Sequence, residues 1–500
     1  MPTSDTQPPP GAGGERPGAG GGRPRPARLT YLSDTDKTAI YEGALEIMAT
    51  VGQRVHHHEA LELLRAAGVE VVEPDLVKVP RELVEKARRT APAVIEVFDR
   101  AGEHAMSLGR YNSYFGNGSA VTSVYDVETG EHRPTVLADG EMAARLCDAL
   151  PEVDFVMAYA HPGDFDPHAA LLESFRAMVK NTTKPLCVVA ENRDDLAVMA
   201  DIAAALRGDA AELAAKPYFV LYLEPTSALS HPVESLDKLL FCADHGIPAI
   251  YSPAPLAGGT APITIAGQVC QGTAESLLGL VIHQLRNPGA PFLFGIGPAV
   301  LDMATSQSSY NAPEYLMGYV CAVEMARWLD LPNWGYAGTT DAQVIDAQAG
   351  MEAAELTFLS LAIGSNLNHD LGYLDFGMTG SLELIVLADE FLAMNRKLAA
   401  GVVVTRETLA VDVVRDVGPG GDFLAHRHTA KNVRKAQWRP TIINRQGHVR
   451  WQEEGGLDLA EKARRKALKL LETHRPAPLP DEVAARIDAL VEGFVPGASR

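Results

Sequence analysis

Between residues 111 and 370, eight short apolar, β-prone runs alternate with helical stretches, and this alternation restricts the possible folds more than any other feature of the chain. The runs are YNSYFGNG (111–118), VDFVMAYAH (153–161), KPLCVVAEN (184–192), PYFVLYLEP (217–225), IPAIYSP (247–253), PFLFGIG (291–297), PNWGYAG (332–338) and IGSNLNHD (363–370). Segments such as HPVESLDKLLFCADHG and AESLLGLVIHQLRNPG stand between them. Strands separated by a helix pair in parallel, because only antiparallel neighbours can be joined by a tight turn. Strands covered on both faces read as near-continuous apolar runs, as these do. The reading is therefore α/β, a (β/α)8 TIM barrel over 111–401, preferred to an open doubly wound sheet. The first run is followed by NGSAVTS, which lacks the G-x-G-x-x-G phosphate turn typical of the open alternative.

The flanks read differently. Residues 1–29 are rich in Gly, Pro and Arg and predict a disordered tail. Residues 30–110 predict a helical lead-in, with Ser33 and Asp34 as cap candidates. Residues 402–500 predict a C-terminal accessory segment that includes the charged helix LDLAEKARRKALKLLETH. Lys plus Arg is 44 against 64 Asp plus Glu, a formal charge of −20, so neither a nucleic acid nor an anionic membrane is an expected partner. No charge-free apolar run reaches the roughly 18 residues that a membrane helix needs. The five cysteines are scattered without a C-x-x-C pair, which predicts neither disulfides nor a metal site and suits the cytoplasm.

In a barrel the active site is built at the C-terminal ends of the strands. Candidates there are Glu191 and Glu224 as a carboxylate pair, and Asp341, Asn368 and His369 as further polar ends. Gly258, Gly259 and Thr260 in SPAPLAGGTAPITIAG could offer backbone N–H groups to an anion. His369 and Asp370 are adjacent, and on one continuous strand they would face opposite ways. The His426-Arg427-His428 cluster has the composition of a metal or anion site but reads better as a solvated loop. Tyr222, Tyr251, Tyr310, Tyr336 and Tyr373 fall in or just past strand ends. Aromatic faces are the physical means of holding a quaternary ammonium, which cannot donate an N–H bond.

Four segments in order, SPAPLAGGTAPITIAG, NPGAPFLFG, TTDAQVIDAQAGMEAAELT and GSNLNHDLGYLDFGMTGSLELIVLADE, resemble the trimethylamine methyltransferase family, and the similarity runs from about Leu32 to the end. The resemblance implies a barrel enzyme of one-carbon metabolism, a methyltransferase. It would pass a methyl group from a methylated amine to the Co(I) corrinoid (cobalamin) of a small partner protein, with no cofactor bound tightly by the chain itself. Trimethylamine-using members carry pyrrolysine, and this chain has ordinary residues throughout. It is thus similar to the non-pyrrolysine branch, whose substrates are glycine betaine and related quaternary amines. The missing residue would lie near 339–343. Competing readings are an enzyme of another amine, a non-catalytic methylated-amine binding protein, and a lyase or hydrolase using Glu191 or Glu224 with His369. A homo-oligomer is compatible with all of them.

Overall fold

The computed structural model describes residues 26–118 and 120–495. The tail expected to be disordered, 1–29, lies outside the described residues except for 26–29. Each of the eight runs contributes one strand: β1 Tyr114–Phe115, β2 Val156–Met157, β3 Leu186–Val188, β4 Phe219–Leu223, β5 Ala249–Tyr251, β6 Phe292–Phe294, β7 Trp334–Tyr336 and β8 Leu367–His369. β2 to β6 form one five-stranded sheet in sequence order, every pair parallel. β7, β8 and β1 form a three-stranded parallel sheet in that order. Two parallel bridges link the sheets, Phe294 with Asn333 beside β7 and Gly116 beside β1 with Phe155 beside β2. Next to the second bridge, Asn117 substitutes for a strand residue: its amide donates to the Met157 carbonyl at 2.9 Å and accepts from the Met157 N–H at 3.0 Å. The chain is a mixed α/β protein.

Helices Leu137–Ala149, Pro167–Asn181, Arg193–Arg207, Val233–His245, Ile265–Arg286, Pro313–Trp328 and Ala347–Ile363 connect successive strands. Side chains alternate across each strand, and the alternation sorts the core into two clusters. Phe155, Met157, Cys187, Val220, Ile250, Leu293, Trp334, Tyr336 and Leu367 pack together as one. Their neighbours in sequence, including Val156, Leu186, Val188, Phe219, Leu221, Ala249, Tyr251 and Phe292, pack with the helices as the other.

Helix Ile265–Arg286 is long and apolar enough to cross a membrane by length and composition, at a mean hydropathy of 1.2. Here it is a core helix, buried from Gln268 to Gln284 apart from Cys270 and packed against helices Asp34–Glu46, Arg81–Thr90, Val233–His245 and Pro313–Trp328. A helix covered on all sides needs no polar face. The N-terminal region supplies two of those covering helices. It also contains strands where only helices were expected: Gln53–Val55, Glu70–Val72 and Leu76–Lys78 join Ser230–His231 in a four-stranded sheet, and Ile95–Phe98 pairs with His104–Leu108. Three-residue strands are too short to display a period of two.

Of the described residues, 26–27 and 397–439 belong to a separate small unit. It holds helices Arg406–Leu409, Val411–Val417 and Arg427–Ala436. Its His426 caps the last helix by accepting from the His428 N–H at 3.0 Å, and its Nε2 lies 3.0 Å from an Asp416 carboxylate oxygen. The cluster is a helix cap with an ion pair. In the larger unit, helices Leu459–Thr473 and Asp481–Glu492 pack on helices Leu137–Ala149, Pro167–Asn181 and Arg193–Arg207.

Gly279 sits in the middle of the core helix, where a Cβ would collide with the ring of Tyr251. The substitution Gly279→Ala is therefore expected to destabilise the fold by about 1–3 kcal/mol despite the better helix propensity of alanine. A denaturant titration checks this, and an unchanged or raised midpoint would contradict the packing.

Candidate active site

Residues at or just past the C-terminal ends of β1 to β8 line a cavity of about 460 Å3, among them the aromatic residues Tyr222, Tyr310, Tyr315, Tyr336 and Phe376, with Glu224, His161 and His369 and with small or apolar residues. Strand parity puts three of these groups there. Val220, Tyr222 and Glu224 alternate along and just past β4, and Leu367 and His369 do so along β8, so each set shares a face. Tyr336 follows the same parity from Trp334 on β7.

The rings form a connected wall. Trp334 stacks on His369 with ring centroids 4.2 Å apart and lies 5.3 Å from Tyr222. Tyr336 lies 5.0 Å from His369, 5.7 Å from Tyr315 and 6.4 Å from Tyr310. Burial pushes the hydroxyls of Tyr222, Tyr310, Tyr315 and Tyr336 well above the ordinary phenol range, so these four rings stay neutral. Tyr222 donates its hydroxyl to Glu224. The Glu224 side chain faces the open cavity but lies deep in it, and desolvation raises its carboxyl above the ordinary value. His369 is 6% exposed. Asp370 lies 2.8 Å from its Nδ1, yet neither ring nitrogen makes a hydrogen bond, and the same is true of Trp334 Nε1 and Tyr315 Oη.

β8 ends at His369, and Asp370 turns to a φ of +77°. The opposite-face arrangement expected for a continuous strand therefore does not arise, and the carboxylate comes back beside the imidazole. Tyr310 is placed by Asp341, which accepts from the Tyr310 N–H at 3.0 Å and from the Ser309 hydroxyl. Asp341 is held in turn through its own N–H, which donates to Glu352 at 2.9 Å.

Of the residues expected from sequence, the structure brings Tyr222, Glu224, Tyr310, Tyr336 and His369 into the cavity wall and puts Asp341 behind it. The others lie elsewhere. Glu191 is not in the cavity lining with Glu224 and pairs with exposed His168 at 2.8 Å, because β3 stops at Val188 and the parity is lost. Tyr251 has the opposite parity to Ile250 and is buried against helices, with its hydroxyl 2.8 Å from His231 Nδ1. Asn368 also faces away, tying β8 to Tyr114 through a 3.0 Å bond to the carbonyl. Tyr373 is buried against Tyr159. The N–H groups of Gly259 and Thr260 donate to the Leu256 carbonyl, each at 2.9 Å, and that of Gly258 donates to Ala261 at 3.1 Å, so these three amides are taken up within the loop. Trp334 and Tyr315 were not singled out from sequence. Trp334 shares its run with Tyr336, and a count of two residues would have paired them. Tyr315 lies within helix Pro313–Trp328 and has no comparable signal.

A cavity with neutral aromatic walls and one carboxylate suits a cation. With the Glu224 carboxyl raised, affinity for a small quaternary cation should be full above that raised value and weaken as pH falls through it. Titration of tetramethylammonium by calorimetry across pH tests this. Glu224→Gln should bind more weakly and lose that pH dependence, whereas an unaltered profile would remove Glu224 from the site.

The family model for trimethylamine methyltransferase (MTTB) matches residues 23–493. The trimethylamine methyltransferase MttB of Desulfitobacterium hafniense is 30% identical over 465 residues, 93% of this chain and 94% of that protein. A glycine betaine methyltransferase from the same species is 28% identical over 92% of this chain and 96% of its own length. The crystal structure of the Methanosarcina barkeri monomethylamine methyltransferase aligns over 89% of this chain and 95% of that one, at 13% identity and a TM-score of 0.49. With a match of that extent, the chain belongs to the trimethylamine methyltransferase (MTTB) family.

Proposed function

We propose that this protein is a methyltransferase that takes a methyl group from a quaternary methylated amine and delivers it to the corrinoid of a separate protein. The observation that carries the reading is the wall of Tyr222, Tyr310, Tyr315 and Tyr336 around Glu224 and His369, in a chain of this family. The frame is a (β/α)8 barrel over 111–401, with 30–110 as an N-terminal lead-in and 402–500 as a C-terminal accessory segment. The parallel bridges at Phe294–Asn333 and Gly116–Phe155, which join the two sheets at both edges, support that closure. Five free cysteines suit a cytoplasmic setting.

Demethylation of a quaternary ammonium breaks one N–CH3 bond with its electron pair going to nitrogen, so the leaving group is a neutral tertiary amine and no proton is required. A reduced cobalt(I) corrinoid supplies the nucleophile that accepts the methyl group. The residues present fit such an acceptor: the cavity edge at Phe376, Gly377 and Met378 reaches the surface, with Met378 56% exposed, leaving an open side for a group too large to enter. The protein's contribution is positional. Aromatic faces and the Glu224 carboxylate hold the cation, and the stacking of His369 on Trp334 fixes the floor against which it rests. Holding one methyl toward the open side brings the reaction close to its attack geometry. Because these contacts weaken as charge leaves nitrogen, they bind the substrate rather than the transition state, and the gain in rate comes from position.

Mixing the protein with Co(I) cobalamin and a panel of quaternary amines should produce methylcobalamin absorbance with at least one of them. Amine binding without any methylcobalamin would point instead to a binding protein. In Tyr336→Leu the loss of one desolvated cation–π face, about 2 kcal/mol, should raise KM roughly thirtyfold. A fall in kcat alone would contradict a binding role for that ring.

A further inference from the structure

The names of the relatives cover two kinds of amine: one that is cationic overall, and a betaine, whose ammonium is balanced by a carboxylate. The loops that follow β1 to β8 discriminate between them. In 158–166, 189–192, 224–232, 252–264, 295–312, 337–346 and 370–381 there is no Lys or Arg, while Asp and Glu recur. The longer excursion after β1, 116–136, holds one arginine, Arg133, which is committed to Asp126 at 2.7 Å and Asp139 at 2.8 Å. Among the described residues, the cavity lining itself contains no Lys or Arg, and its one carboxylate is Glu224.

Several backbone donors are already used. The N–H groups of Ala120, Val121, Gly297, Ala299 and Met378, all at the cavity wall, donate to carbonyls within the protein. The Gly258–Thr260 amides donate within their own loop. Apart from Glu224, the polar side chains of the wall are neutral phenols, the Thr122 hydroxyl and two histidines, and His369 already has the Asp370 carboxylate 2.8 Å from its ring. A substrate carboxylate would enter beside Glu224 and Asp370 and gain no fixed positive charge in return. A desolvated carboxylate with no opposite charge beside it is strongly disfavoured.

We infer that the amine taken by this site is a carboxylate-free quaternary cation, a simple tetraalkylammonium or a hydroxyalkyl one, and that zwitterionic betaines are discriminated against. The inference rests on the methyl-transfer reading above and narrows its substrate class. The like charges of Glu224 and a substrate carboxylate a few ångströms apart correspond to about tenfold or more in affinity.

The test is calorimetric titration of the full-length protein with four probes: tetramethylammonium, choline, glycine betaine, and 3,3-dimethylbutan-1-ol, the uncharged isostere of choline. Choline and tetramethylammonium should bind about tenfold or more tightly than glycine betaine, and Glu224→Gln should narrow that ratio by weakening the cations and relieving the betaine. If choline exceeds its neutral isostere but glycine betaine binds as well as choline, cation recognition stands and the carboxylate-free inference is overturned. If the neutral isostere binds as well as choline, the site does not read charge, and the proposed function fails with the inference. A Glu224→Gln protein with an unchanged choline-to-betaine ratio would also overturn the inference, because the discrimination would then come from elsewhere. A melting curve of the variant establishes that it is folded.

Discussion

Parallel pairing of eight short strands is the constraint on which the rest of the molecule depends. A strand two to five residues long holds little by itself, and it persists here because helices on its outer side and packed side chains on its inner side cover both faces. Because every pair among β1 to β8 is parallel, all the strands end on one side. Each connecting loop leaves from that side, so residues as far apart in sequence as His161 and Met378 line one cavity. The long apolar helix Ile265–Arg286 follows from the same arrangement: it is the crossover between β5 and β6, and the N-terminal helices cover its outer face.

Strand positions were legible in the sequence, and their parity was only partly so. Each of the eight apolar runs contains one strand, because buried parallel strands announce themselves by composition. Which tyrosine faces the cavity depends on a register of one residue, and run boundaries do not resolve that. Tyr222 and Tyr251 occupy similar places near the ends of their runs, yet one lines the cavity and the other packs on helices. Glu191 and Glu224 differ in another way: β3 stops three residues short of Glu191, whereas β4 ends immediately before Glu224. The Gly-Gly-Thr loop was open to an anion-binding reading because sequence does not reveal where its amide hydrogens go, and they go to Leu256 and Ala261. The N-terminal strands escaped notice because segments of three to five residues carry at most two turns of a period of two.

The electrostatic character of the site follows from the groups gathered at the strand ends. Neutral phenols, one carboxylate and two imidazoles form the polar part of its wall, and burial keeps the phenols protonated. Such a surface attracts positive charge by its ring faces and by Glu224 while offering no strong acid to protonate a leaving amine. That combination matches a substrate that is already cationic and leaves neutral. The resemblance noted from four ordered segments is borne out by the match over residues 23–493, and the proposed function gives the family relationship a physical content: in that proposal the aromatic wall holds the cation, the open edge faces the methyl acceptor, and positioning supplies the catalysis.

The most direct measurement is where a quaternary nitrogen rests in the protein. A crystal structure with bound tetramethylammonium should place the nitrogen within about 6 Å of the ring centroids of Tyr222, Tyr310 and Tyr336, beside the Glu224 carboxylate and with a methyl directed to the Phe376–Met378 edge. Density for the cation at any other place, with this cavity left without it, would contradict the account.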